Sequence, residues 1–215
     1  MKRTALRFFM MLLGGFTACS DPVEWVDESE LTPECLARAD FGDPSESPYV
    51  LPFPAGASYR VVQGYCGSGP WSSHNNRFAI DFDMPVGDPI VAARGGTVVW
   101  VVDRFDDTGY NPDSDLNYLV VQHLDGTAAL YAHLQQNSAL VSVGNEVVGG
   151  EFLASSGNSG FTDGNPHLHF ELYSGFPYHW LDDSVPVTFR NAGGQLDERG
   201  GLQYGETYTA LGVPP

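Results

Sequence analysis

The chain has 215 residues, enough for one core of moderate size with extensions. Hydrophobic residues make up 42% and aromatic residues 13%, and the 25 glycines and 15 prolines are typical of a folded protein rich in loops and β-structure. Its 10 basic residues stand against 27 acidic ones, which gives a net charge of −17, and Lys2 is the only lysine. This balance argues against nucleic acid as a partner, because phosphate binding needs clustered Lys and Arg.

Residues 1–19 have the pattern of an export signal. Basic residues are followed by the apolar run 8–16, which is too short to span a bilayer, and then by Thr17-Ala18-Cys19. Small residues leading into a cysteine resemble the lipobox of bacterial lipoproteins, although Phe16 stands where an aliphatic residue is usual. We expect lipidation at Cys19, with ordinary secretion as the alternative. The protein would then lie in the cell envelope and contact the membrane only through its lipid anchor.

Residues 20–48 are acidic and thinly apolar, with Arg38 as the only basic residue. Such a segment predicts a tether and not a domain. If Cys19 carries lipid, Cys35 and Cys66 remain, and two thiols in an oxidising compartment favour a disulfide. Two unpaired, partly buried cysteines are the alternative.

From residue 49 onward, short β-prone runs alternate with Gly, Pro and Asp. The runs are 78–82, 89–93, 96–103, 118–123, 128–133, 151–155 and a final one that contains His167 and His169. Asp125-Gly126 and Gly95-Gly96 predict hairpin connections, and 104–117 predicts a long surface loop. Many short strands at this spacing predict an all-β sandwich or barrel. We assign 49–190 to this body, with a last strand around 186–190, and 191–215 to a C-terminal extension packed on it.

The last of these runs carries two histidines with strand spacing. His167, His169 and Glu171 alternate with three apolar residues, so they share one face of a predicted strand, with the α-carbons of the two histidines roughly 7 Å apart. Both imidazoles can therefore serve one metal or one substrate. Strand spacing alone leaves open which of the two would bind a metal.

A loop histidine and a strand carboxylate supply complementary groups. His74 precedes a predicted strand that carries Asp81, and two imidazoles with one carboxylate suit a catalytic zinc with a position left for water. Asp83 is a minor competitor as ligand. His133 is a further imidazole that can act as general acid or base, or stabilise an oxyanion. The same ligand set suits Fe(II), but an exported protein without an oxygenase pattern favours zinc.

Seven pieces of the chain, taken in order, resemble the M23 metallopeptidases, the lysostaphin-like zinc endopeptidases that cut peptide cross-bridges of bacterial cell walls. The pieces are His74 with Asp81, and residues 85–99, 117–126, 131–134, 143–150, 155–160 and 166–170. One departure is the spacing of His74 and Asp81, which are seven apart here and four apart in the best-known members. Both side chains still converge if His74 lies on a loop that folds back over the strand.

The resemblance implies an antiparallel β-sandwich of the barrel-sandwich hybrid type. It also implies one zinc per chain held by His74, Asp81 and His169, with His133 and His167 as unligated catalytic histidines. We therefore expect an exported, monomeric zinc metalloendopeptidase that hydrolyses peptidoglycan stem or cross-bridge peptides. The alternative is a non-catalytic wall-binding or amidase-activating module of the same fold, against which the intact ligand set speaks.

Overall fold

The computed structural model describes residues 35, 37–66, 74, 78–177 and 184–212. The expected export signal, the lipidation site Cys19 and most of the tether lie outside these residues. In the described part, no helix is long and apolar enough to cross a membrane. Its regular elements are two 3-10 turns, Pro44–Glu46 and Asp113–Asp115, and the strands β1 (Ser58–Gln63), β2 (Ile80–Phe82), β3 (Pro89–Val91), β4 (Gly96–Val102), β5 (Tyr118–Gln122), β6 (Ala128–Ala132), β7 (Glu146–Val147), β8 (Phe152–Ser155), β9 (Leu168–Tyr173), β10 (Ala192–Gly193) and β11 (Thr207–Ala210).

The strands form one large and one small antiparallel sheet. Nine strands make the large sheet in the order β10-β11-β1-β2-β9-β6-β5-β4-β7, and β3 pairs with β8 in the small one. The main core contains residues from both sheets, among them Ile90 and Leu153 of the small sheet and Val98 and Phe170 of the large sheet. The prediction of an antiparallel all-β sandwich is therefore confirmed.

β9 alternates between two faces as the sequence predicts. Leu168, Phe170 and Leu172 belong to the main core, and Tyr173 belongs to a separate apolar cluster on the other face. The strand begins at Leu168, so His169 lies within it and His167 immediately before it. This alternation keeps both histidines out of the apolar core.

The two predicted hairpins have different outcomes. Asp125-Gly126 does connect the paired strands β5 and β6, and Gly126 has the positive φ of +91° that favours glycine in such a turn. The Gly95-Gly96 prediction is wrong, because β3 pairs with β8 whereas β4 pairs with β5 and β7. The chain instead passes from the small sheet to the large one there. Gly96 is required by close packing, since a β-carbon on it would clash with the backbone carbonyl of Gln122.

The expected last strand around 186–190 is also wrong. Its backbone groups bond to the chain near residue 48 and not to a neighbouring strand: Ser47 Oγ donates to the Thr188 carbonyl, and Arg190 N donates to the Tyr49 carbonyl. Phe189 still enters the main core. The final strand is β11, which pairs with β1 and contributes the fully buried Tyr208.

A disulfide joins Cys35 to Cys66, in agreement with the sequence. Around it lies a small buried cluster that includes Phe41, Tyr65 and Phe78, with the rings of Phe41 and Tyr65 edge to face at 4.5 Å. The described end of the acidic tether therefore packs on the body. The division of the chain into a tether, a body and an extension stays a prediction.

Candidate metal centre

Three potential metal ligands converge where β2 pairs with β9. Asp81 and His169 are direct partners in the register of these strands, which brings Asp81 Oδ1 to 2.9 Å from His169 Nδ1. His74 precedes β2, and its Nε2 lies 3.2 Å from the same Asp81 oxygen. The ligand atoms of the three residues all lie within 4.8 Å of one another. His74 and Asp81 thus lie in one cluster although they are seven residues apart in the chain.

The donor set fits a zinc ion. Two imidazoles and one carboxylate in a buried cluster match the ligands of catalytic zinc sites and leave a coordination position for water. Asp83 does not take part, because β2 ends at Phe82 and the Asp83 side chain is exposed. The candidate cluster therefore contains Asp81 and not Asp83.

Two further histidines lie beside the three candidate ligands. The rings of His133 and His167 are 4.5 Å apart, and His167 Nε2 is 3.5 Å from Asp81 Oδ2. Nδ1 of His133 is 2.8 Å from the Ser159 carbonyl, and Nδ1 of His167 is 2.8 Å from the Asn165 carbonyl. Because a carbonyl only accepts, each Nδ1 carries a hydrogen, which leaves each Nε2 as the ring nitrogen available for proton transfer.

Burial and neighbouring charges set the protonation of this cluster. Burial dominates at His133 and, with His167 and His169 nearby, lowers its pKa to about 3, so the ring is neutral near pH 7. At His169, burial acts against the charged ring, but Asp81 and Glu171 outweigh it and raise the pKa to about 9. At Asp81, burial acts to raise the pKa of the carboxyl. The nearby rings of His74 and His167 outweigh this effect and hold that pKa well below its usual range.

Glu171 is a site residue to which the sequence assigned no role. It is completely buried, its Oε2 accepts a hydrogen bond of 2.7 Å from the Tyr173 hydroxyl, and the same oxygen is 3.4 Å from His169 Nε2. Its carboxylate therefore contacts the side of the His169 ring that faces away from Asp81. Its place on the same strand face as His169 was the available signal.

The turn at residues 156–160 also supports the site. The sequence predicts a tight turn there, and Gly157 allows it, because a β-carbon would clash with the backbone of Leu134 and Gln135. This contact brings the Ser159 carbonyl to His133, which has a φ of +60°, in the left-handed region that is rare for side chains other than glycine. The ring of His133 is thus held by a specific backbone arrangement that no local pattern reveals.

The five histidine and aspartate side chains line one open cavity of about 530 Å³, together with Gln63, Phe161, Thr162, Asp163 and Asn165. His123, the other histidine in the described residues, is structural. It is buried, and its Nδ1 is 3.0 Å from the Gly95 carbonyl.

Residues 75–180 match the family model described as peptidase family M23. The chain belongs to this family. An M23 peptidoglycan DD-endopeptidase, ShyA of Vibrio cholerae, is 35% identical over 108 residues, which cover 50% of this chain and 23% of ShyA. An uncharacterised metalloprotease of Buchnera aphidicola is 30% identical over 132 residues, 60% of this chain and 32% of that protein. This M23 chain therefore spans about a third or less of the length of these two relatives.

A solved structure of a zinc-containing peptidase from Vibrio cholerae is similar as well. It has 28% sequence identity and a TM-score of 0.44, and the match covers 65% of this M23 chain and 41% of that one.

Proposed function

We propose that the protein is an exported zinc metalloendopeptidase that hydrolyses peptide bonds in peptidoglycan cross-links. The observation that supports this most directly is the convergence of His74, Asp81 and His169 with two further histidines in one open cavity. A wall-binding module of the same fold would not need five such side chains within contact of one another. No feature of the described residues favours that alternative.

Zinc held by His74, Asp81 and His169 would polarise a peptide carbonyl and lower the pKa of a bound water to about 7. The neighbouring histidines are arranged for proton transfer. His133 is neutral, its Nδ1–H is held by the Ser159 carbonyl, and its Nε2 can accept a proton from a nucleophilic water. The ring centroid of His167 is 4.5 Å from that of His133, and its Nδ1–H is held by the Asn165 carbonyl, so its Nε2, once it has taken up a proton, can donate to the developing oxyanion or to the leaving amine.

The substrate class rests on family relatives. ShyA is a peptidoglycan DD-endopeptidase, and a protein of Neisseria meningitidis that is 33% identical over 118 residues is a DD-carboxypeptidase/endopeptidase. The disulfide between Cys35 and Cys66 is consistent with an oxidising compartment outside the cytoplasm. We further propose that the protein lies in the cell envelope as a monomer, anchored through lipid on Cys19.

Metal analysis tests the ligand set. Mass spectrometry of the protein purified without chelators, and of His74→Ala and His169→Ala, is expected to give one zinc per chain in the wild type and none in either variant. His123→Ala is the control, because His123 is a buried histidine that bonds to the Gly95 carbonyl and is not part of the cluster. Iron in the wild type would indicate an Fe(II) site in place of a zinc site. Absence of any metal after zinc has been offered would contradict the proposed metal site.

Incubation with purified peptidoglycan tests the activity. The wild type is expected to release new amino termini, and His133→Ala is expected to release them at least 100-fold more slowly, as is typical when a general base is lost. Zinc content should stay unchanged in this variant, because His133 is not among the proposed ligands. Absence of new amino termini with zinc-loaded wild type would contradict the proposed function.

A further inference from the structure

The three candidate ligands are held in place by different parts of the fold. Asp81 and His169 are fixed by the pairing of β2 with β9, in which they are direct partners. His74 lies outside both strands, and its backbone N–H donates to the Gly64 carbonyl at 3.3 Å. Gly64 directly follows β1 and stands two residues before Cys66. The position of His74 therefore depends on a segment next to the disulfide.

The described residues on either side of His74 in the chain meet in one buried cluster. We call it the disulfide cluster, and it consists of Cys35, Ala39, Phe41, Tyr65, Cys66 and Phe78. Tyr65 and Cys66 precede His74, and Phe78 follows it. The rings of Tyr65 and Phe78 are stacked, with their centroids 6.3 Å apart. The disulfide cluster thus joins the two described ends of the stretch that carries this ligand.

The end of the acidic tether supplies the other side of the disulfide cluster. The centroid of the Phe41 ring is 4.5 Å from that of Tyr65 and 6.1 Å from that of Phe78. The guanidinium of Arg38 lies 5.4 Å from the centre of the Phe78 ring. The bond between Cys35 and Cys66 fastens this segment across a sequence separation of 31. Without the bond, only noncovalent contacts would oppose the entropy that the segment gains on leaving the cluster.

The two ends of the stretch that carries His74 are supported differently. Cys66 has a φ of +38°, in the left-handed region that residues with a side chain rarely adopt and that surrounding contacts must maintain. Its buried side chain is bonded to Cys35. At the other end, the backbone N–H of Phe78 donates to the hydroxyl of buried Ser184. The first end therefore depends on the disulfide, whereas the second has a further support.

We propose that the disulfide cluster is a positioning element of the metal centre, in which the Cys35–Cys66 bond keeps His74 within reach of a zinc ion held by Asp81 and His169. This rests on the proposed zinc site. The two cysteines are not among the candidate ligands, so they act through the segment to which His74 is bonded. A site that is in its binding geometry for only part of the time loses apparent affinity by that fraction.

Zinc affinity, measured by competition with a chromogenic chelator, tests the proposal. Cys35→Ser combined with Cys66→Ser in the full-length chain is expected to bind zinc about tenfold more weakly than the wild type, the lower end of the range for groups that position a ligand. Leu153→Ala is the matched control. It removes a buried side chain of β8 in the main core and lowers stability without touching the disulfide cluster.

Urea unfolding should show that both proteins are less stable than the wild type, whereas zinc affinity should fall only in the double cysteine variant. Unchanged zinc affinity in that variant would overturn the proposal. An equal loss in Leu153→Ala would also overturn it, because the effect would then follow from stability alone.

Ring contacts in the metal-free protein give a measurement that is independent of zinc and of hydrolysis. The ring centroids of His74 and His169 are 4.9 Å apart, and those of His133 and His167 are 4.5 Å apart. NOEs between ring protons of isotopically labelled histidines, recorded in chelator, are expected for both pairs in the wild type. In the double cysteine variant the first NOE should be lost and the second should persist. Persistence of both, or loss of both, would overturn the proposal.

Phe41→Leu covers the case in which the double cysteine variant does not fold. It keeps the disulfide and reduces the ring contacts of the cluster, so a smaller loss of zinc affinity is expected, and unchanged affinity would overturn the proposal. If the wild type bound no zinc, the proposed function would fail. The NOE comparison would still decide whether the disulfide cluster positions His74.

Discussion

The imidazole of His169 lies between two carboxylates, Asp81 at Nδ1 and Glu171 at Nε2. Tyr173 holds the second carboxylate through a 2.7 Å hydrogen bond from its hydroxyl. A carboxylate on the far side of a ligating imidazole fixes its tautomer and raises its basicity. Glu171 therefore has the placement of a residue that positions a metal ligand without touching the metal.

Replacement of Glu171 by Gln is expected to weaken zinc binding by about 10- to 100-fold, the range found when such outer partners are changed. The substitution preserves the size of the side chain and an acceptor for the Tyr173 hydroxyl, so the fold should persist. Affinity is measured by competition with a chromogenic chelator. Tyr173→Phe is the companion variant and should give a smaller loss, because it releases Glu171 without removing its charge. Unchanged zinc affinity in Glu171→Gln would contradict this role.

The residue types of the cluster could be read from the sequence, but the contacts could not. Strand alternation placed Glu171 on the face of His169, yet nothing local indicated that Tyr173 would turn its hydroxyl back to that carboxylate. Strand spacing likewise left His167 and His169 equivalent. In the structure, His169 lies within β9 opposite Asp81, and His167 lies just before the strand.

Among the elements, the loop between β4 and β5 depends most on one side chain. Asn117 makes three hydrogen bonds in a fully buried position, two to Phe105 and one to Leu134. Leu134 directly follows His133 in the chain, so this hydrogen bond links the loop to the segment that carries His133. The loop and the surroundings of His133 are therefore coupled through one amide group.

Asn117→Ala is expected to lower the free energy of unfolding by about 3 kcal/mol, at about 1 kcal/mol for each lost hydrogen bond. The measurement is urea unfolding of the wild type and the variant under the same conditions. Asn111→Ala is the control within the same loop, since its amide bonds to other residues at the surface of the loop. That change should stay within about 0.5 kcal/mol. Equal losses in both variants would contradict the anchoring role of Asn117.

Sequence patterns located this loop through its Asp, Gly, Pro and Asn content, but they described it only as surface. Its contacts are made with residues 134–136, which follow in the chain after two intervening strands, and with residues 158–162, which follow after four. The same limitation explains the wrong hairpin at Gly95-Gly96. A Gly-Gly pair indicates a change of direction or a close approach, and only the packing of β4 against β5 shows that it is the latter.

On the scale of the whole molecule, the large sheet brings the histidine and aspartate side chains together from four separate parts of the chain. β2 lies beside β9, and β9 beside β6, so Asp81, His169 and His133 come from or directly follow three neighbouring strands. The resulting density of buried titratable groups couples the site to global stability.

Metal-free protein is expected to lose stability as the pH rises from about 6.5 to about 9. The folded state raises the pKa of His169 from 6.5 to about 9, so it binds the proton more tightly than the unfolded chain does. This contribution is complete below pH 6.5 and disappears as the pH passes the folded value. Urea midpoints measured in chelator across this range test it. His169→Gln, which has no titrating ring, should flatten the profile, and an equally steep profile in that variant would contradict the assignment.

The sequence by itself determined the all-β class, the alternation of β9 and the residue types available to a metal, because these depend on local periodicity and side-chain chemistry. It also carried the M23 resemblance, because the matching pieces stand in order along the chain. Only the tertiary structure decided the pairing of β3 with β8, the replacement of the expected strand at 186–190 by β11, and the contacts of Glu171 and Asn117. These depend on which distant segments compete for the same backbone hydrogen bonds and buried space, and a local pattern does not encode the outcome of that competition.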